Sequence, residues 1–319
     1  MTGISKGIRT GLILGVLAAV GATAAPAATI VTSNQATYSL ASALTENTSI
    51  EVVNVPADGR ELAALADYIG RRMDRLAPTF AAATAVIALT NALPGDPTYR
   101  FAREANIRIV DIDAATPWSL TIPGVALTET PVSTVDWGSD TDQPASATAP
   151  YFWLSLSNAI RMADIIAHDL AQLFPESEAT ITGNLDTLKR SLLKLRGDYQ
   201  NRLIDLGLDT VFALTGDFVY LTNDMGLYVD GYFIKQDLRW TVDDLSMLTR
   251  HLRDNDIRVV LHKWEPSEAI QAAIHEAGAE FIVLQSGDPG LTVGDALAPD
   301  GLQQILNANL EAIVTALSY

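Results

Sequence analysis

Apolar residues recur with two different periods along this chain. Short β-type runs at 29–31, 50–55, 85–90 and 107–112 predict four strands in the first half. Runs at 210–215, 227–233, 258–261 and 281–284 predict four more in the second half. Between them the apolar spacing widens to three or four residues, around 38–44, 61–75, 242–252, 267–277 and 302–317, which predicts amphipathic helices. Strands alternating with helices predict parallel sheets covered on both faces. The expected fold class is therefore α/β, with two lobes that each hold a four-stranded, mostly parallel sheet.

Between the two sets of strands the pattern changes. From Ile181 the apolar positions run Leu185, Leu188, Leu192, Leu195, Tyr199 and Leu203, and one face of a single helix gathers all of them. At 1.5 Å per residue a helix over 177–206 extends roughly 45 Å, enough to run the length of a two-lobed molecule. Gly197 lies inside it and is expected to weaken or bend it slightly. The helix before it, over 158–174, stops at Pro175. A rigid backbone helix thus joins the lobes. The expected division is a leader over 1–28, an N-terminal lobe over 29–157, connecting helices over 158–206 and a C-terminal lobe over 207–319. Residues 132–149, rich in Ser, Thr, Asp, Gly and Pro, read as an irregular surface loop ahead of Tyr151, Phe152 and Trp153.

The leader is read from its own pattern. Lys6 and Arg9 precede an uncharged run over 10–25 that closes on Ala24-Ala25-Pro26-Ala27-Ala28. A positive start, an apolar middle and an Ala-x-Ala end make a secretory signal peptide. The apolar run is shorter than the roughly 20 residues that span a bilayer, and no Cys follows for lipid attachment. The mature protein is expected in the periplasm and not itself in the membrane.

Composition narrows the picture further. The chain has 319 residues, 48% of them hydrophobic, which is enough for two domains with a core each. With Cys 0, disulfides, thiolate metal sites and cysteine nucleophiles are excluded together. The net charge of -17 argues against nucleic acid or anionic lipid as a partner and is compatible with cation capture.

In open α/β sheets, ligands bind beyond the carboxyl ends of the strands. Those ends here carry Asp58, Arg60 and Glu61, then Asn91, then Gly216 and Asp217, then His262, Lys263, Trp264 and Glu265, then Gln285, Ser286 and Asp288. Of the four histidines, His168 shares a polar helix face with Arg161 and Asp164, and His275 with Glu268 and Gln271. His251 falls in the last turn of its helix, where it complements the dipole. Only His262 stands at a strand end, where a lone histidine is more often a hydrogen-bonded loop residue than a ligand. No His pair has metal spacing, and there is no Gly-x-Ser-x-Gly elbow or phosphate-binding glycine loop. Catalysis is not supported, so the expected class is not an enzyme.

The order of parts resembles the periplasmic solute-binding proteins for zinc and manganese, the ZnuA/TroA type. The segment Ala149-Pro150-Tyr151-Phe152-Trp153-Leu154-Ser155-Leu156-Ser157-Asn158-Ala159 is similar to that family's Asp-Pro-His-x-Trp-Leu-Asp-Pro-x-Asn-Ala. Thr215-Gly216-Asp217-Phe218-Val219-Tyr220, followed by Met225-Gly226-Leu227, resembles its His-Asp-Ala-Phe-x-Tyr and Tyr-Gly-Leu. Trp240 to Leu245 sits where the family opens a helix, and Asn309-Leu310 matches its closing Asn-Leu. The departures fall on the ligands. The family's first His falls near Arg60 or Glu61, its second on Tyr151, its third on Thr215 with Asp217 close by, and its carboxylate on Asp288. The His-rich loop common in zinc members is absent.

The resemblance implies the receptor of an ABC importer that captures a ligand between its lobes and delivers it to an inner-membrane permease. Three readings of the cleft stay open. One is a rebuilt metal site of Tyr151, Asp217 and Asp288 with Glu61 or His262, whose oxygen donors favour a harder ion than zinc, such as manganese or ferric iron. Another is an organic solute or metal chelate held by Arg60, Tyr151, Trp153, Trp264 and Asp288. The last is a satisfied lobe interface with no ligand, as in an accessory or adhesion protein. An exported enzyme would instead need Asp217, His262 and Asp288 to converge as a nucleophile–base set. The cofactor is left open, with a bound divalent or ferric ion as the candidate.

Overall fold

The computed structural model describes residues 28–207 and 209–318, so the leader expected over 1–28 lies outside the described residues except for Ala28. The first strand, β1 (Ala28–Thr32), is followed by helix α1 (Gln35–Leu44), which Asn34 caps by accepting the Thr37 N–H. Then come β2 (Ile50–Asn54), α2 (Leu62–Gly70), α3 (Met73–Ala82), β3 (Ala85–Ala88), α4 (Thr98–Ala105) and β4 (Val110–Asp113). These strands form one sheet in the order β2-β1-β3-β4, parallel throughout. Two helices follow, α5 (Leu156–Leu173) and the long α6 (Glu178–Leu206).

The second half repeats the plan with β5 (Thr210–Ala213), α7 (Val219–Met225), β6 (Tyr228–Tyr232), α8 (Val242–Asp254), β7 (Val259–His262), α9 (Glu268–Glu276) and β8 (Glu280–Val283). Its sheet runs β6-β5-β7-β8, again parallel. A small antiparallel hairpin, β9 (Thr292–Val293) and β10 (Ala296–Leu297), precedes the closing helix α10 (Gly301–Leu317). The fold is the expected α/β one, with two parallel sheets joined by a long helix. No helix among the described residues is long and apolar enough to cross a membrane.

The core departs from the expectation of one core per lobe. A single buried cluster takes in Ile30 and Ile87 of the first sheet and Val211, Ala213, Val259 and Leu261 of the second. Between them lie Phe152 and Trp153, the buried face of α5, and Ile181, Leu188, Leu192, Tyr199 and Leu203 of α6. The cause is α10, which returns from the second sheet to pack on α1 and α6. Leu302 N–H donates to Ser39 Oγ at 3.1 Å, and Gln35 Nε2 donates to the Ala298 carbonyl at 2.9 Å. Arg202 forks onto Glu311 at 2.6 and 3.0 Å. Only the outer faces of the sheets have clusters of their own, around Phe80 and Phe101 in one lobe and Phe212 and Phe233 in the other.

Local differences from the sequence reading have local causes. The helix expected over 61–75 is two helices, because the chain turns after Gly70 so that Leu65, Ile69 and Phe80 reach one apolar cluster with Phe101. The strand expected over 107–112 begins at Val110, which leaves Ile107 77% exposed. Helices α4 and α7 are only eight and seven residues long, about two turns each, too short for a period to stand out in the sequence, and neither was expected. The loop over 132–149 is more than a surface excursion. β6 is an edge strand, and its free backbone groups are met by this segment: Thr134 N–H donates to Tyr232 O, Ile234 N–H to Ser133 Oγ, and Asp142 N–H to Ile234 O, all at 2.8 to 2.9 Å. Trp137 then fills the core of the second lobe against Phe233, at 4.6 Å between ring centres. His251 does more than complement a helix end, because it also pairs with Asp230 at 2.7 Å.

One buried carboxyl in this scaffold has a measurable consequence. Asp169 on α5 is fully buried, accepts the Trp118 N–H at 3.3 Å on one oxygen and has no partner for the other. Burial raises it to about 6 from 3.8, while Trp118 and His168 pull weakly the other way. The folded chain therefore holds this proton more tightly than the unfolded one, and stability falls as pH rises from about 4 to about 6. Asp169→Asn keeps an acceptor for Trp118. It is expected to raise stability at pH 8 by roughly 1–3 kcal/mol and to change little at pH 4. Urea midpoints at the two pH values check this, and an unchanged midpoint at pH 8 would refute it.

Candidate functional site

Because both sheets are parallel, the loops after β2, β5, β7 and β8 leave the carboxyl ends of their strands and meet between the lobes. They enclose two adjoining hollows of about 590 and 480 Å³ that share Ala63, Tyr151, Asp217, Lys263, Trp264 and Asp288. Of the expected site residues, Tyr151, Asp217 and Asp288 line both hollows, Thr215 lines one and Glu61 the other.

Asp288 ties the lobes together. It follows β8, yet its Oδ1 accepts the Leu62 N–H at 2.9 Å, at the first residue of α2 in the other lobe. Glu61, which precedes that helix, makes no capping bond, so Asp288 supplies the anionic cap from across the cleft. The close approach needs Gly59. Its φ is +71°, and a Cβ there would lie 2.5 Å from the Pro289 carbonyl oxygen. Burial pushes the Asp288 carboxyl up to about 6; the Leu62 N–H and Tyr151 hold it down, while Glu61 and Asp217 add to the rise. The Tyr151 O–H donates to Asp288 Oδ2 at 3.5 Å. Burial first, then Asp288 and Asp217, push the phenol well above its ordinary value, so it stays protonated and acts as a donor.

The second lobe brings Asp217 and Lys263 together. Thr215 is buried, and its Oγ1 accepts the Asp217 N–H at 3.3 Å, which fixes the turn after β5. Asp217 Oδ2 lies 3.1 Å from Lys263 Nζ. Lys263 is the first residue past β7 and is exposed in the cleft, with its ammonium 4.9 Å from the Trp264 ring centre. Trp264 is held in turn, its Nε1–H donating to Asp237 Oδ1 at 3.2 Å and its ring 4.8 Å from that of His262.

Two expected residues lie elsewhere. Arg60 turns away from the cleft, bonding Asp58 at 2.7 Å and the Gly59 carbonyl at 2.6 Å and lying over the Tyr68 ring. His262 is the last residue of β7 rather than a residue beyond it. It is 2% exposed, lies 3.6 Å from Asp237 and is absent from the lining of either hollow. Burial lowers its pKa, against the pull of Asp237, so the ring is neutral and packs as part of the core. Trp153 is likewise buried, its Nε1–H donating to the Ser286 carbonyl at 2.8 Å. Asp217, His262 and Asp288 thus form no nucleophile–base set. Lys263, named at a strand end but not among the expected ligand-binding residues, lines both hollows. Residues 142–146 of the 132–149 loop also line the cleft and carried no signal. Among the described residues, no three His, Asp or Glu side chains come together to hold a metal ion.

The sequence matches the family described as zinc-uptake complex component A, periplasmic, over residues 30–316. The chain belongs to this family. Its role is accordingly that of a solute-binding protein of the metal-uptake type, a class of binding proteins rather than enzymes. No curated protein is significantly similar in sequence. Among solved structures, an FpvC mutant from Pseudomonas aeruginosa is 20% identical with a TM-score of 0.68, covering 91% of this chain and 98% of that one. The same protein in complex with Mn2+ is also 20% identical, with a TM-score of 0.61 over 91% of this chain and 98% of that one. The Zn(II)-bound ZnuA-like domain of Streptococcus pneumoniae AdcA is 18% identical with a TM-score of 0.64, covering 92% of this chain and 99% of that one. At these identities the likeness establishes the shared fold.

Proposed function

We propose that this family member works in the periplasm, passes its cargo to an ABC permease in the inner membrane, and takes its metal as a complex with a small organic chelator. The chemistry of the cleft wall carries this reading. A bare ion needs several free oxygen or nitrogen lone pairs at about 2.0–2.6 Å. Here Asp217 is occupied by the Lys263 ammonium, and Asp288 by the Leu62 N–H and the Tyr151 O–H. A chelate meets the same groups without displacing them. Its anionic oxygens find a donor in the remaining N–H groups of Lys263, its own N–H or O–H groups find acceptors in the Tyr151 phenol oxygen and Asp288, and a planar face finds Trp264. A space of about 590 Å³ suits a small organic molecule. The core shared by both lobes and the continuous α6 favour capture by small lobe movements rather than wide hinge opening.

A bare hard cation on Tyr151, Asp217 and Asp288 is the second reading, favoured by the gathering of Glu61, Asp217 and Asp288 around one cleft. Native mass spectrometry of protein isolated from its own periplasm separates the two. The expected result is a bound mass that contains an organic component and disappears on denaturation. Stoichiometric metal with no organic mass would replace the first reading with the second.

A further inference from the structure

Lys263 stands where a cation arriving at Asp217 would have to sit. β5 and β7 are neighbours in the second sheet, so the turn after β5 that carries Asp217 lies beside the residue just past β7. His262 ends β7, whose four residues are all buried, and Lys263 is the first residue past that end, where its side chain is exposed in the cleft. Its ammonium lies 3.1 Å from Asp217 Oδ2 and 4.9 Å from the centre of the Trp264 ring. Trp264 is itself held by Asp237 and His262, so the ring beside the ammonium is fixed in place.

We infer that Lys263 is a specificity-determining residue that bars bare divalent cations from the cleft by occupying Asp217 as a tethered cation. The inference rests on the reading above, in that Asp217 faces the cargo. A divalent ion approaching this carboxylate must first displace the ammonium and then remain beside it, so it loses a ligand and meets a like charge. An anionic or neutral complex meets no such penalty and gains a donor from the same lysine. A cleft built on a scaffold for metal capture would in this way read the form in which the metal arrives.

The test is calorimetric titration of the mature protein with MnCl2 and with ZnCl2, using the wild type, Lys263→Met, Lys263→Arg and the double variant Lys263→Met/Asp217→Asn. Lys263 is exposed, so its replacement leaves the core untouched, and melting curves verify this. Lys263→Met is expected to bind the bare ions at least tenfold more tightly than the wild type. Lys263→Arg should stay at the wild-type level because it keeps the charge, and the double variant should lose the gain. Equal affinity in wild type and Lys263→Met overturns the inference, as does failure of both to bind, because removal of the lysine would then have freed no cation site. The mass-spectrometric result on the native cargo is independent of these titrations, so failure of one is distinguishable from failure of the other.

Discussion

Replacing Lys235 by Met or Asp244 by Asn is expected to destabilise the protein by about 3–5 kcal/mol, the usual cost of stripping one partner from a buried pair. Lys235 Nζ lies 2.9 Å from Asp244 Oδ2, with both side chains almost fully buried, and it also donates to the Ser139 carbonyl at 2.8 Å. The same Asp244 oxygen accepts the Thr241 N–H at 2.8 Å and the Thr241 hydroxyl at 2.9 Å, closing the capping box that starts α8. One salt bridge therefore joins three pieces: the strap over 133–142, the segment after β6, and α8. Burial alone would raise the Asp244 carboxyl, but the Thr241 N–H, the Lys235 ammonium and the Thr241 hydroxyl together hold it below its ordinary value. With the folded value depressed, this stabilisation is full above the ordinary value of 3.8 and is lost as pH falls through the folded one. Urea midpoints at pH 7 measure the effect, and a loss below about 1 kcal/mol in both variants would show that the pair contributes little. The double replacement Lys235→Met/Asp244→Asn should cost less than the two single changes added, since with both removed no bare charge is left behind.

How much of this was readable from the chain follows from the range of each interaction. The strands and the long helix are local periodicities. The apolar stripe from Ile181 to Leu203 fixes α6 without reference to anything it touches, and the helix indeed runs Glu178–Leu206, continuous through Gly197. The shared core was not legible, because it depends on α10 returning to α1, a contact between Ser39 and Leu302 that no local pattern encodes. In the site, the resemblance led to Tyr151, Asp217 and Asp288, which the fold does bring to one cleft. A one-residue uncertainty in where β7 ends was enough to exchange the fates of His262 and Lys263, since every residue of the strand is buried and the first one past its end reaches the cleft. Arg60 was lost for a similar reason: its nearest anion is Asp58, two residues away, and the guanidinium closes on it instead of reaching the cleft.

Cargo binding should fall about 10–100-fold in Asp288→Ala, the range for removing a charged hydrogen-bonding group from a binding site. Two roles meet in this residue, and substitution can separate them. As the cap of α2, Asp288 needs only an acceptor for the Leu62 N–H; as a cargo contact it also needs its charge. Asp288→Asn keeps the first and removes the second. If the carboxylate reads the cargo, the Asn and Ala variants should lose affinity alike, while only Ala loses the cap, worth about 1 kcal/mol. Both variants also gain some stability, because a carboxyl raised to about 6 by burial destabilises the fold once it ionises, and Asn and Ala alike remove that charge above that pH. Tyr151→Phe should weaken binding less, by the one hydrogen bond its phenol oxygen accepts from the cargo. Affinities measured by calorimetry for the ligand recovered with the native protein check the series. Full affinity in Asp288→Asn would reduce Asp288 to a latch between the lobes, and the cargo contacts would then have to lie on Glu61, Asp217 and Lys263.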